Sequence, residues 1–142
     1  MTVYVVDASV AAKWVIEEPG TPQALALLAG HNPVAPDLVL AECANILWKK
    51  VHRGELSAAE ARFAALLIEG SNLQLREVAP FWISAVELAA EIDHPAYDCF
   101  YLALALRERL QFVTADEKLV RKLRQSSNPK LRDVALPLQA FA

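Results

Sequence analysis

Apolar positions along the chain change period repeatedly, from short continuous or alternating runs to runs with helical spacing. Val3 to Val6 is β-branched-rich and predicts a strand buried on both faces. "ASVAAKWVIEE" predicts a helix that stops at Pro19-Gly20, and Thr21-Pro22 restarts another, with Thr21 as N-cap, that ends at Gly30. "NPVAPD" carries a brief second strand between prolines. "DLVLAECANILWKKVHRG" is helical from an Asp37 cap to a Gly54 stop, with basic residues in its last turns. "SAAEARFAALLIEG" opens with a capping box, Ser57 with Glu60, and ends at Gly70.

The alternation in "LQLREV" predicts a strand, and "PFWISAVELAAEI" and "DHPAYDCFYLALALRERL" predict two helices, the second with Pro95 near its first turn. "QFVT" is a short strand, "ADEKLVRKLRQ" a basic amphipathic helix, Asn128-Pro129 a turn and "DVALPL" a last strand. Strands separated by helices indicate an α/β sandwich with a mainly parallel sheet of about five strands. In such sheets the functional crevice lies beyond the carboxyl ends of the strands, where strand order reverses. Asp7 and Asp116 each follow a predicted strand.

A chain of 142 residues, 55% apolar, suits one domain over residues 1–142 with a single sizeable core. The formal charge of −3 argues against an unspecific nucleic-acid coat protein, while leaving room for a nucleic-acid enzyme with local basic residues. Cys43 and Cys99 are too few and too distant for a thiolate metal motif or a disulfide framework, and are read as buried thiols of a reducing compartment. No apolar run is long enough to span a bilayer and no leader pattern opens the chain; a cytoplasmic protein is expected.

Four acidic residues stand out by position. Asp7 ends an apolar strand, where a carboxylate needs a backbone cap, a cation or a metal. Either Asp7 or Ser9 could cap the helix that follows. Glu42 lies within the apolar "LVLAECANIL", with Asn45 on its face at i+3. Asp98 sits in the opening turns of a helix, where the macrodipole favours an anion, and Asp116 could cap the helix after it. Gathered together they change meaning. Two carboxylates 4 Å apart repel by about 4 kcal/mol at an effective dielectric near 20, so a cluster calls for a counter-ion. Oxygen-only ligands suit Mg²⁺ or Mn²⁺, which also bind phosphate oxygens, and the matching substrate is a phosphate ester.

"VVDAS", "LAECANIL", "PAYDCFYLALA" and "FVTADEKL", in this order and spacing, resemble the four signatures of PIN domains, and most closely those of the VapC-like ribonuclease toxins. The resemblance covers essentially the whole chain. It implies a doubly wound, three-layer α/β fold and Mg²⁺- or Mn²⁺-dependent cleavage of RNA. It carries over Asp7, Glu42, Asp98 and Asp116 as the acidic catalytic and metal site, with Asp7 and Asp98 as the foremost ligands. Ser9 and Thr114 match supporting hydroxyl positions, and Asn45 a polar residue of the same crevice. Ser9 would cap the first helix while Asp7 faces the metal. The resemblance also implies a small antitoxin partner and a homodimer, for which apolar helices such as "ARFAALLI" offer surface.

Basic groups should flank such a site. Lys13 is one candidate, and Lys118, Arg121, Lys122 and Arg124 are others. Trp14, Trp48 and Trp82 are read as core or interface residues rather than base-stacking platforms. No catalytic histidine is needed, which leaves His31, His52 and His94 as surface or helix-end residues. Two other readings compete: a catalytically silent PIN scaffold that binds RNA or a partner, and a phosphatase or phosphoacceptor domain. The haloacid-dehalogenase type of the latter needs an aspartate two residues after the first, where this chain has Ser9.

Overall fold

The computed structural model describes residues 1–141. Five strands, β1 (Val3–Val6), β2 (Asn32–Pro36), β3 (Gln74–Arg76), β4 (Gln111–Thr114) and β5 (Ala135–Pro137), form one sheet in the order β3-β2-β1-β4-β5, with every pairing parallel. β2 and β3 lie on one side of β1, and β4 and β5 on the other. The chain therefore reverses its direction of growth between β1 and β4, which places a topological switch point at their carboxyl ends. Val6 pairs with Val113, so Asp7 and Thr114 leave the sheet side by side.

The strands are apolar on both faces because helices cover both. Val5, Val34 and Phe112 pack into the larger core with α3 (Leu38–His52), α5 (Trp82–Ile92), α6 (Ala96–Glu108) and α7 (Glu117–Arg124). Val6 and Val113, one residue along and so on the opposite face, meet Ala24 and Leu27 of α2 (Thr21–Gly30) and Leu138. α4 (Ala58–Glu69) begins with the Ser57–Glu60 capping box, both of its hydrogen bonds formed. Among the described residues no helix is long and apolar enough to cross a membrane.

Three local expectations change. The first helix, α1, is only Ala8–Lys13. Lys13 and Lys50 both pair with Glu18, at 3.2 and 3.3 Å, and the Trp14 indole N–H donates to the Ala24 carbonyl. These contacts hold residues 14–20 in a loop against α2 and α3. Thr21 does not cap α2: its hydroxyl accepts from the Glu18 N–H and donates to the Ile16 carbonyl, closing that loop, while Gly20 takes the cap position at a φ of 96°. After the turn at Asn128-Pro129, the chain makes one more helical turn, α8 (Pro129–Arg132), which the Asn128 side chain caps.

Candidate active site

Asp7 is held from three directions. Its Oδ1 accepts from the Val10 N–H at 3.2 Å and from the Ser9 hydroxyl at 2.5 Å, and its Oδ2 accepts from the Thr114 hydroxyl at 2.6 Å. Asp7 is thus itself the N-cap of α1, and Ser9, instead of taking over the cap, supports the Asp7 carboxylate. Capping and site formation coexist because a carboxylate has lone pairs for both. Only 7% of Asp7 is exposed. Burial pushes its pKa from 3.8 up to about 6, against the pull of the three hydrogen bonds, and the nearby Asp98 charge adds to the rise.

Thr114 is fully buried at the end of β4 and serves two junctions: it donates to Asp7 and accepts from the Asp116 N–H at 3.1 Å. Asp116 caps α7 through the Leu119 N–H and is otherwise exposed. Glu42, in the second turn of α3, is half-buried, and burial raises its pKa. Its Oε1 accepts a 2.5 Å hydrogen bond from the Tyr101 hydroxyl of α6. Asp98 lies in the first turn of α6, where its Oδ2 meets the His94 Nε2 at 2.7 Å. All four acidic residues, together with Ser9 and Asn45, line a single cavity of about 720 Å³.

Among the described residues, no three histidine, cysteine, aspartate or glutamate side chains stand close enough together to hold a metal ion. The carboxylates ring the cavity rather than converge on one point. Glu42, Asp98 and Asp116 each have one oxygen hydrogen-bonded within the protein and a second without such a bond among the described residues. That donor set fits a hard divalent cation of the Mg²⁺ type, which takes one or two carboxylates and completes its shell with water and phosphate oxygens.

The model of the family described as "PIN domain" matches residues 4–124, a span that includes all four carboxylates. The chain belongs to the PIN-domain family. No curated protein matches it in sequence. Among solved structures, PAE2754 from Pyrobaculum aerophilum is similar over 98% of this chain and 91% of its own, at 21% identity and a TM-score of 0.74. VapC20 of Mycobacterium tuberculosis, a toxin that cleaves the sarcin–ricin loop, is similar over 80% and 88%, at 18% identity and a TM-score of 0.62. VapBC2 from Rickettsia felis, bound to a fragment of its promoter DNA, gives 96% and 98%, at 17% identity and a TM-score of 0.66. These likenesses place the PIN fold over nearly all of the chain.

The basic residues expected at the site lie elsewhere on this PIN domain. Lys13 is committed to Glu18. Lys122 donates to the Asp93 carbonyl at 2.8 Å and approaches the His94 ring, while Lys118, Arg121 and Arg124 are exposed on α7 and do not line the cavity. The cation that does line it is Lys49, two turns after Glu42 on the same face of α3. The aromatic ring at its mouth is Tyr97, 64% exposed. None of the three tryptophans lines this cavity. Trp14 packs against both cores, Trp48 stacks on His52, and Trp82 is exposed on α5. The seven-residue spacing puts Lys49 on the Glu42 face of α3, but only the lie of that helix over the sheet brings it to the cavity, and the i,i+4 spacing of His94 and Asp98 permits their bond without requiring it. Cys43 and Cys99 are buried free thiols, their pKa values pushed up to about 12 and about 11 by burial.

Proposed function

We propose that this PIN domain is a Mg²⁺- or Mn²⁺-dependent endoribonuclease, and the toxin of a VapBC-type toxin–antitoxin pair. The observation that carries the reading is the placement of Asp7, Glu42, Asp98 and Asp116 around one cavity at the β1/β4 switch point, with Lys49 on its wall. Four carboxylates and a lysine form a poor site for an anion unless a cation joins them. With one, the cavity suits a phosphodiester.

A bound divalent cation supplies Lewis-acid polarisation of the phosphodiester and lowers the pKa of water. Asp7 and Asp98 are the residues that would hold it. Ser9 and Thr114 fix the Asp7 carboxylate so that no reorganisation is needed when the substrate arrives. Glu42 and Asp116, which also line the cavity, would orient the attacking water or hold a second ion. Lys49 neutralises a phosphate of the backbone, and Tyr97 offers a face to a base. Attack by water leaves a 5′-phosphate and a 3′-hydroxyl, and the ribose 2′-hydroxyl takes no part.

Purified protein should cleave structured RNA with added Mn²⁺ or Mg²⁺, and EDTA, Asp7→Asn and Asp98→Asn should each abolish cleavage. Unchanged cleavage in both variants would remove the acidic site from the chemistry, and no cleavage by the wild type with either metal would leave a scaffold that only binds RNA or a partner. The toxin role is supported by the apolar residues Phe63, Leu66 and Leu67, which α4 leaves exposed within "ARFAALLI". A small antitoxin and a second copy of the chain in the cytoplasm are the proposed partners. Co-expression with the protein of an adjacent short reading frame should relieve growth arrest and yield a complex by gel filtration.

A further inference from the structure

Tyr101 is fully buried in the larger core, its ring stacked on Phe112 of β4 at a centroid distance of 5.7 Å. A phenol in that position needs an acceptor, and a backbone carbonyl would serve. The acceptor is instead the side chain of Glu42, 59 residues away and on another helix. At 2.5 Å the bond has the length of a charge-assisted contact from hydroxyl to carboxylate. Glu42 otherwise has a loose setting, since Ala41, Ala44 and Asn45 around it on α3 are exposed. Its long side chain would lose considerable rotamer entropy on being fixed, and the Tyr101 bond makes that restriction part of the fold.

We propose that Tyr101 is a positioning residue, its buried phenol holding Glu42 Oε1 so that Oε2 is presented to the cavity. Phe112 and Thr114 share one face of β4 by strand alternation. The strand therefore supports the site twice, through Thr114 on Asp7 and through the ring beneath Tyr101. The inference rests on the divalent-cation site proposed above.

Mn²⁺ binding, measured by titration calorimetry on the full chain, separates the two readings. Tyr101→Phe should weaken Mn²⁺ binding by about 10- to 100-fold, the range for residues that orient a ligand, Glu42→Gln by at least as much, and the double variant should bind no more weakly than Glu42→Gln alone. Tyr101→Phe keeps the ring stacked on Phe112, so circular dichroism should be unchanged. Wild-type affinity in Tyr101→Phe beside weakened Glu42→Gln, or additive losses in the double variant, would overturn the positioning role while leaving the cation site standing. Absence of Mn²⁺ binding by the wild type would overturn both.

Should Tyr101→Phe fail to fold, tyrosine labelled at ¹³Cζ gives a second readout. In a Tyr4→Phe, Tyr97→Phe background Tyr101 is the remaining tyrosine of three. Mg²⁺ should shift its signal, and adding Glu42→Gln should remove the shift. A signal that ignores Mg²⁺ in both proteins would overturn the role.

Discussion

The chain makes the same local move twice, at "VVDAS" after β1 and at "VTADE" after β4, and the two junctions differ in what surrounds the aspartate. Asp7 and Asp116 both cap the helix that follows a parallel strand. Asp7 is buried and accepts from two hydroxyls and a backbone N–H, whereas Asp116 is exposed and accepts from one backbone N–H. The hydroxyl of Thr114 stands between them and serves both. Water solvates the Asp116 charge, which therefore costs the fold little. Protein groups must solvate the Asp7 charge, and they do so incompletely, as its raised pKa shows. Burial, and not residue type or local motif, singles out Asp7 as the carboxylate that gains most from a cation.

Several measurements press on that contrast. The largest effect is expected on catalysis: Asp7→Asn should lower RNA cleavage by more than about 100-fold, beyond the range for groups that only support a ligand, and Asp116→Asn by less. Equal losses would erase the distinction between the junctions. Next is Thr114→Val, which keeps the branched shape and removes the shared hydroxyl. It should cost about 1–3 kcal/mol in urea unfolding, because a buried acceptor loses its donor, together with about 10- to 100-fold in cleavage.

A pH series without metal sharpens the electrostatic side. The folded-state pKa of Asp7, about 6, lies above its ordinary 3.8, so the folded protein binds more protons than the unfolded chain between those values. The stability this contributes is complete below about pH 3.8 and lost as pH rises through about 6. Asp7→Asn carries no such titration. In EDTA at pH 7.5 it should exceed wild type in unfolding free energy, by about 2–3 kcal/mol at most, with the gap closing toward pH 4. A gap independent of pH would mean that Asp7 is as well solvated as Asp116. Asp116→Asn should change stability by less than about 0.5 kcal/mol, since asparagine caps as well as aspartate. Smallest of all, Arg121→Ala should leave KM for RNA unchanged while Lys49→Ala raises it, because only Lys49 lines the cavity.

The elements were legible where one local signal dominates. The β-branched run Val3–Val6 marks β1, the Ser57–Glu60 box marks α4, and Pro22 and Gly54 bound helices. The first helix was overextended because its sequence stays helix-compatible past Lys13, and what shortens it are ion pairs to Lys50 and a hydrogen bond to Ala24. Such contacts have no local signature. The gathering of the four acidic residues on one cavity was legible as a set: Asp7 and Asp116 follow strands, and Glu42 and Asp98 join them through the ordered motifs that resemble PIN domains. The surroundings of those residues were not. Nothing adjacent to Glu42 in the chain indicates Tyr101, and the basic face of α7 draws attention from Lys49, whose relevance depends on how α3 lies over the sheet.

The strand order has a further consequence in time. Because β1 (Val3–Val6) pairs with β4 (Gln111–Thr114), the floor of the cavity joins Asp7 to a hydroxyl 107 residues further along the chain. A nascent chain that has not yet released β4 from the ribosome has Asp7 and Glu42 but neither the Thr114 hydroxyl nor Asp116. The activity proposed for this domain is postponed by topology until β4 has left the ribosome and paired with β1.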